Sequence, residues 1–221
     1  MTDTLATLTD KIQATLGDDG TVFTDAQVAA ALRLALDDWN EAAPIFAAST
    51  VDIVAEQKEY EVTDEDADAV DVIDVLLKGT DTQEENHTSL VFDKYTEDAR
   101  LFIRLQTAQD PADHLIIRYT KPHTINGLDS ETESTLPEYD DTSLVIGGAY
   151  YSLVTRAAAR VETINLQKDV SDNYSELAKI LKARWERRLK KAAAMRPPVG
   201  EPNTFAWNDQ WHNFDKTGYT G

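Results

Sequence analysis

The chain has 221 residues, long enough for one sizeable core or two small ones, and no cysteine, which excludes a disulfide framework, a thiolate metal site and a cysteine nucleophile. It is strongly acidic, with a net charge of −19, and the charge is uneven. Residues 1–140 carry 31 acids against 9 bases, residues 141–221 carry 9 acids against 12 bases, and Asp outnumbers Glu by 25 to 15. An acidic body does not bind nucleic acid by counterion release, although DNA could pass close to it without sticking. Solubility alone, or a high-salt habitat, would account for the same surplus.

The first residues, MTDTLATLTDKIQATL, lack a basic segment followed by a continuous apolar stretch, so we expect no signal peptide. No apolar run approaches the length needed to span a membrane. Leu5, Leu8, Ile12 and Leu16 instead form one stripe of an amphipathic helix over Thr4–Leu16. Gly17-Asp18-Asp19-Gly20 reads as a turn. Thr24-Asp25-Ala26-Gln27 then offers a capping box. The helix it opens carries Val28, Leu32, Ala35, Leu36 and Trp39 on one face and Asp37, Asp38 and Glu41 on the other, and ends before Pro44.

From about Ala48 the period changes from helical to two. Val51 and Ile53 flank Asp52, and Tyr60 and Val62 flank Glu61, with Glu56-Gln57-Lys58 between them as a hairpin turn. Val70, Val72, Val75 and Leu77 form a third β-prone run whose phase slips at Ile73, which predicts a bulge or a sheet edge. Lys78–Ser89 reads as a polar loop, and Leu90 and Phe92 open a further strand. Leu101, Ile103 and Leu105 alternate with Phe102, Arg104 and Gln106, and after the turn Asp110-Pro111-Ala112-Asp113 Leu115, Ile117 and Tyr119 alternate with His114, Ile116 and Arg118. These two runs are expected to pair antiparallel. Five or six short strands between 48 and 121 predict a small sheet or sandwich.

Lys121–Leu136 is a long connection. It leads to the central stretch Leu136–Asn165, expected to be one long buried helix with Pro137, Asp140 and Asp141 at its start. Leu144, Ile146, Leu153, Val154, Ala157, Val161 and Ile164 recur at helical spacing. Gly147, Gly148 and Ala149 sit within it. An internal glycine costs about 1 kcal/mol against alanine, so the pair implies close approach of a helix from this subunit or the next, or else a kink. A second helix is expected over Asp172–Met195, with Tyr174, Leu177, Leu181, Trp185 and Leu189 as its apolar stripe. Between Lys179 and Arg196 it carries eight bases and one acid, Glu186. Pro197-Pro198 ends it. The last residues hold Phe205, Trp207, Trp211, Phe214 and Tyr219, too many aromatics for an ordinary disordered tail. They predict a docking segment, on its own body or on another subunit.

Little in this sequence supports an enzyme. The nucleotide, hydrolase and zinc motifs are missing, and the four histidines (His87, His114, His123, His212) are scattered. Carboxylate pairs such as Asp37/Asp38 and Asp64/Glu65/Asp66 are expected to be solvated faces. The Asp-rich Thr63–Asp74 stretch offers oxygen ligands for calcium but lacks the EF-hand pattern, including its turn glycine. No cofactor is expected.

Taken together, the layout is two helices, a β insert, Tyr119-Thr120-Lys121-Pro122-His123, then Leu136-Pro137-Glu138-Tyr139-Asp140-Asp141, then Gly147-Gly148-Ala149 and a basic closing helix. This resembles the head–tail adaptor (connector) proteins of tailed phages and related viruses, over most of the chain but not its aromatic tail. The resemblance implies an α+β fold: a bundle of about four helices (1–47 and 122–196), an inserted antiparallel β domain (48–121) and a C-terminal docking tail (197–221). It implies a structural virion neck protein, assembled in the host cytoplasm. Such a protein forms a dodecameric homo-oligomer ring under the portal protein, extends the DNA channel without binding DNA specifically, and presents a platform to the next neck or tail protein. Arg184, Arg187, Arg188, Lys190, Lys191, Trp207, Trp211 and Phe214 are then the expected portal or subunit interface, with Gly147, Gly148 and Ala149 packing helices. The β insert departs from compact members of the family. A head-closure or tail-terminator ring protein shares the ring logic but tends to be mostly β. A small ligand- or carbohydrate-binding β-core protein would need convergent polar groups for which the sequence offers no fixed spacing.

Overall fold

The computed structural model describes residues 3–62, 69–78, 87–98, 100–137, 140–161 and 168–195. Among them are four helices, α1 (Leu5–Leu16), α2 (Asp25–Ala42), α3 (Asp141–Val161) and α4 (Lys168–Ala194). Seven strands lie between α2 and α3: β1 (Ile45–Asp52), β2 (Glu59–Glu61), β3 (Asp71–Lys78), β4 (His87–Ser89), β5 (Phe92–Glu97), β6 (Arg100–Leu105) and β7 (His114–Lys121). The fold is α+β, helices with an antiparallel β insert. The described residues up to Ile45 and from Lys121 to 195 form one compact unit, and those from Phe46 to Thr120 form the other.

The helical unit follows its apolar periodicity. Thr4 caps α1, its hydroxyl accepting the Thr7 N–H at 3.4 Å. Gly17 closes the helix at φ 69°, a left-handed conformation that glycine adopts without steric cost. At the start of α2, Gln27 Oε1 accepts the Thr24 N–H at 3.3 Å, the reciprocal half of the expected capping box. Leu8, Ile12, Val28, Leu32, Ala35, Trp39, Leu144, Ala149, Leu153, Leu181 and Trp185 make one buried cluster. The connection before α3 adds Ile125, Leu128 and Leu136 to it, so a stretch read as linker plugs the core.

Leu136 is therefore a core residue ahead of the helix, and α3 begins at Asp141, not at Leu136. The Asp140 N–H turns back onto the Pro137 carbonyl at 2.8 Å just before the helix starts. Helix α4 begins at Lys168, earlier than the expected Asp172.

The β unit contains a four-stranded sheet in the order β1-β7-β3-β4 and a three-stranded sheet in the order β2-β6-β5. Ile53, Tyr60, Val62, Val72, Val75, Leu101, Ile103, Leu105, Leu115, Ile117 and Tyr119 share one core. The two expected hairpins are corrected here. Glu56-Gln57 does turn, with Glu56 at φ 66° and the Gln57 N–H on the Val54 carbonyl at 3.1 Å, but β1 lies beside β7 while β2 pairs with β6. The β6 and β7 runs do not pair with each other: β6 lies between β2 and β5, and β7 pairs antiparallel with β3. Alternation fixes which face is buried but not which neighbour is chosen. The phase slip at Ile73 is a register shift between Val72 and Asp74, which lets Val72 and Val75 both point inward. Strand β1 starts at Ile45, directly after Pro44, and not near Ala48. His87–Ser89, expected to be loop, is the edge strand β4 paired with Leu76–Lys78.

Candidate functional site

Of the residues singled out for assembly, those the structure describes lie on α4 and on α3 where its neighbouring helices approach. On α4 the apolar stripe is as expected. Leu181 and Trp185 are buried, and Tyr174, Leu177 and Leu189 pack at its margins. The bases Lys179, Lys182, Arg184, Arg187, Arg188, Lys190 and Lys191 are all exposed. Helical geometry sorts them. Arg184, Arg187, Arg188 and Lys191 stand at i, i+3, i+4 and i+7 and share one flank. Lys190 falls on a different row with Lys182 and Glu186, and Lys182 pairs with Glu186 at 3.8 Å. The structure thus brings together four of the five expected basic residues. The C-terminal end of that flank lies near the start of α3. Burial and then the neighbouring Asp141 push the Asp140 carboxyl up to about 6, while Arg188 and Lys191 pull it back.

Gly147 and Gly148 mark the closest approach of α3 to its neighbours. A Cβ on Gly147 would lie 3.0 Å from the Ala35 Cβ of α2 and 3.0 Å from ring atoms of Trp185 on α4. A Cβ on Gly148 would lie 2.5 Å from Ile12 Cδ1 of α1 and 3.3 Å from Leu32 Cδ2 of α2. Ala149 is buried beside them. Three other helices therefore converge on this part of α3. The Trp185 ring also stacks on Trp39, centroids 5.9 Å apart.

Two arrangements escaped the sequence reading. Asp38, expected to be solvated with Asp37, is half-buried, and one oxygen, Oδ2, accepts both the Tyr151 hydroxyl at 2.6 Å and the Trp185 indole N–H at 3.0 Å. Its position at the border of the α2 apolar face was the available signal. The second is a clasp around the Lys121-Pro122-His123 segment. Asn40 Oδ1 accepts the His123 N–H at 2.7 Å, the Asn40 amide reaches the His123 carbonyl at 3.4 Å, and His123 Nε2 is 3.0 Å from the Ala43 carbonyl. Burial holds the His123 imidazole below its usual pKa, partly offset by its hydrogen bonds with Ala43 and Thr135. The motif that carried part of the resemblance thus secures the returning chain to the end of α2.

Trp207, Trp211 and Phe214 lie outside the described residues, as does most of the Asp-rich part of Thr63–Asp74. Among the described residues no group of three or more His, Asp or Glu could hold a metal ion. Nor is any helix among them long and apolar enough to cross a membrane.

No protein-family model matches the chain, and no curated protein does. Among solved structures it is similar to a chain in the neck of an empty gene transfer agent particle, at 14% identity and a TM-score of 0.29, covering 65% of this chain and 75% of that one. It is similar also to a chain in the virion of a native gene transfer agent particle, at 16% identity and a TM-score of 0.28, covering 66% and 76%. Likeness at this level carries no argument about what the chain does.

Proposed function

We propose that this chain is a structural neck protein of a tailed virion, a head–tail adaptor that assembles as a ring between the portal and the next neck or tail protein and lines a DNA channel. The observation that carries the reading is the layout. Two helices lead into a β insert, the chain returns through a Lys-Pro-His segment pinned to the end of α2, and a Gly-Gly-Ala helix packs under a basic closing helix. That is the order of elements in the adaptor family the sequence resembles. The charge distribution suits the role. An acidic surface lets DNA pass without gripping it, and an acidic body with a basic helix flank offers the two unlike patches a ring interface needs. In this reading the α4 bases and the tail aromatics Trp207, Trp211 and Phe214 meet neighbouring subunits or the portal, and no catalytic chemistry is required.

The test is the mass of full-length protein in solution, alone and mixed with its portal, by light scattering. A ring, or a mass that rises only when portal is added, supports the adaptor reading. A monomer indifferent to portal overturns it. A chain truncated at Pro197 that stays folded but no longer assembles would assign the tail to assembly, whereas one that unfolds would assign it to the core.

A further inference from the structure

Within the helical unit, Leu5, Ala6, Thr9 and Asp10 of α1 and Asp25 of α2 line a cavity of about 240 Å³. That is room for a single side chain, not for a drug-sized ligand. Its polar lining is unanswered. Thr9 is only 4% exposed, and among the described residues its hydroxyl has no hydrogen-bond partner. Asp25 Oδ1 accepts the Gln13 amide at 3.0 Å, which leaves Oδ2 for another donor. Asp10 is exposed and faces no base among the described residues. The bases of α1 and α2, Lys11 and Arg33, are already held by Asp3 and Asp129. The start of α2 accounts for an acid at position 25, but not for Asp10 or for an enclosed hydroxyl without a partner.

We infer that this cavity is a receptor for one lysine side chain of a partner protein. An ammonium group carries three N–H donors on one compact charge, and the cavity offers three acceptors: the Asp10 carboxylate, Asp25 Oδ2 and the Thr9 hydroxyl. Leu5 and Ala6 supply apolar contact for the methylene stem. Arginine fits less well, because its fork prefers both oxygens of one carboxylate and Asp25 has given one of its own to Gln13. A metal ion is also the poorer fit. Among the described residues no third His, Asp or Glu joins the two carboxylates, and Leu5 and Ala6 offer it no ligand. A free polyamine carries a second ammonium, for which the lining holds no further acceptors. The net charge of −19 draws a cationic segment from a distance, and the cavity selects the side chain at contact. The inference goes beyond the neck reading and does not rest on it, since it needs neither a ring nor a portal.

The experiment is heteronuclear NMR of the full-length protein at fixed ionic strength, titrated with N-acetyl-lysine amide, N-acetyl-arginine amide, N-acetyl-norleucine amide and spermidine. The lysine probe should shift the backbone resonances of Thr9, Asp10 and Asp25 and saturate with a Kd of about 1–10 mM, an affinity suited to one side chain. The arginine and norleucine probes should bind at least about threefold more weakly, the first lacking the compact charge and the second lacking any charge. Asp10→Asn removes one carboxylate at an exposed position, and Thr9→Val removes the hydroxyl while keeping the shape. Each should weaken the lysine probe by at least about threefold. Circular dichroism verifies that both variants fold, and the wild-type titration decides the matter even where Thr9→Val does not. The absence of saturable shifts at these three residues overturns the inference, as does a folded Asp10→Asn that binds the lysine probe like the wild type. An arginine probe that binds as tightly overturns the choice of lysine. Spermidine that binds more tightly than the lysine probe overturns it in favour of a free polyamine.

Discussion

Trp185 donates its indole N–H to Asp38 at 3.0 Å, on the same carboxylate oxygen that takes the Tyr151 hydroxyl at 2.6 Å. One side chain of α2 thus ties α3 and α4 at the level where Trp185 also stacks on Trp39. Asp38→Ala leaves two enclosed donors without their acceptor and should destabilise the protein by about 2–3 kcal/mol. Trp185→Phe keeps most of the ring but removes one donor, and in the Asp38→Ala background it should cost less than it does alone. Urea denaturation of the single and double variants reads this coupling, and strictly additive costs would mean the two side chains act independently.

The paired glycines give a contrast that runs against the bare distances. Gly148→Ala brings a methyl to 2.5 Å from Ile12 Cδ1, yet that atom is the mobile end of a side chain that can change rotamer. The helix propensity gained, about 1 kcal/mol, should offset the shift and leave Gly148→Ala within about 1 kcal/mol of wild type. Gly147→Ala meets the Ala35 Cβ, fixed to the α2 backbone, and the Trp185 ring, held by Asp38 and Trp39. It should destabilise by about 1–3 kcal/mol. Thermal melts that rank Gly148→Ala as the worse substitution would contradict this account.

The helices were legible from the capping box at Thr24, apolar stripes at helical spacing, and the prolines beyond α2 and α4. The exposure of Arg184, Arg187, Arg188 and Lys191 followed from that same spacing. The strands other than β4 were also legible from alternation, and so was the irregularity at Ile73. Strand partners were not, since β2 and β7 reach strands distant in sequence and nothing local distinguishes them from a hairpin neighbour. Ile125 and Leu128 escaped as core residues because two isolated apolar side chains in a polar connection have no period. Asp38 escaped because a border carboxylate looks the same whether it meets water or an indole N–H.

The clasp at Asn40 predicts a local weakness. Asn40→Ala removes the acceptor of the His123 N–H and should cost about 1–3 kcal/mol. Asn40→Asp retains an oxygen for that 2.7 Å bond and should cost less. Hydrogen exchange should show faster exchange at His123 in Asn40→Ala than in Asn40→Asp. Equal protection in the two variants would show that the clasp does not depend on this bond.

Two titrations should pull stability in opposite directions. Burial lowers the His123 pKa in the folded state, so the unfolded chain takes up that proton first and stability falls as pH drops through about 6.5. His123→Gln should flatten that side of a plot of urea midpoint against pH. Asp140 behaves the other way. Its carboxyl titrates at about 6 in the fold against 3.8 as the ordinary value, so between these the folded state holds the extra proton and stability falls as pH rises. The group is half exposed, and screening leaves about 1 kcal/mol at most from this effect. Asp140→Asn keeps a side chain suited to the start of α3 and removes the titration, so it should be more stable than wild type above pH 6 and should lack the decline between about pH 4 and about pH 6. In the wild type the two slopes partly cancel where they overlap, and each single variant should unmask the other. An Asp140→Asn profile parallel to that of the wild type would show that Arg188 and Lys191 already hold the carboxylate ionised.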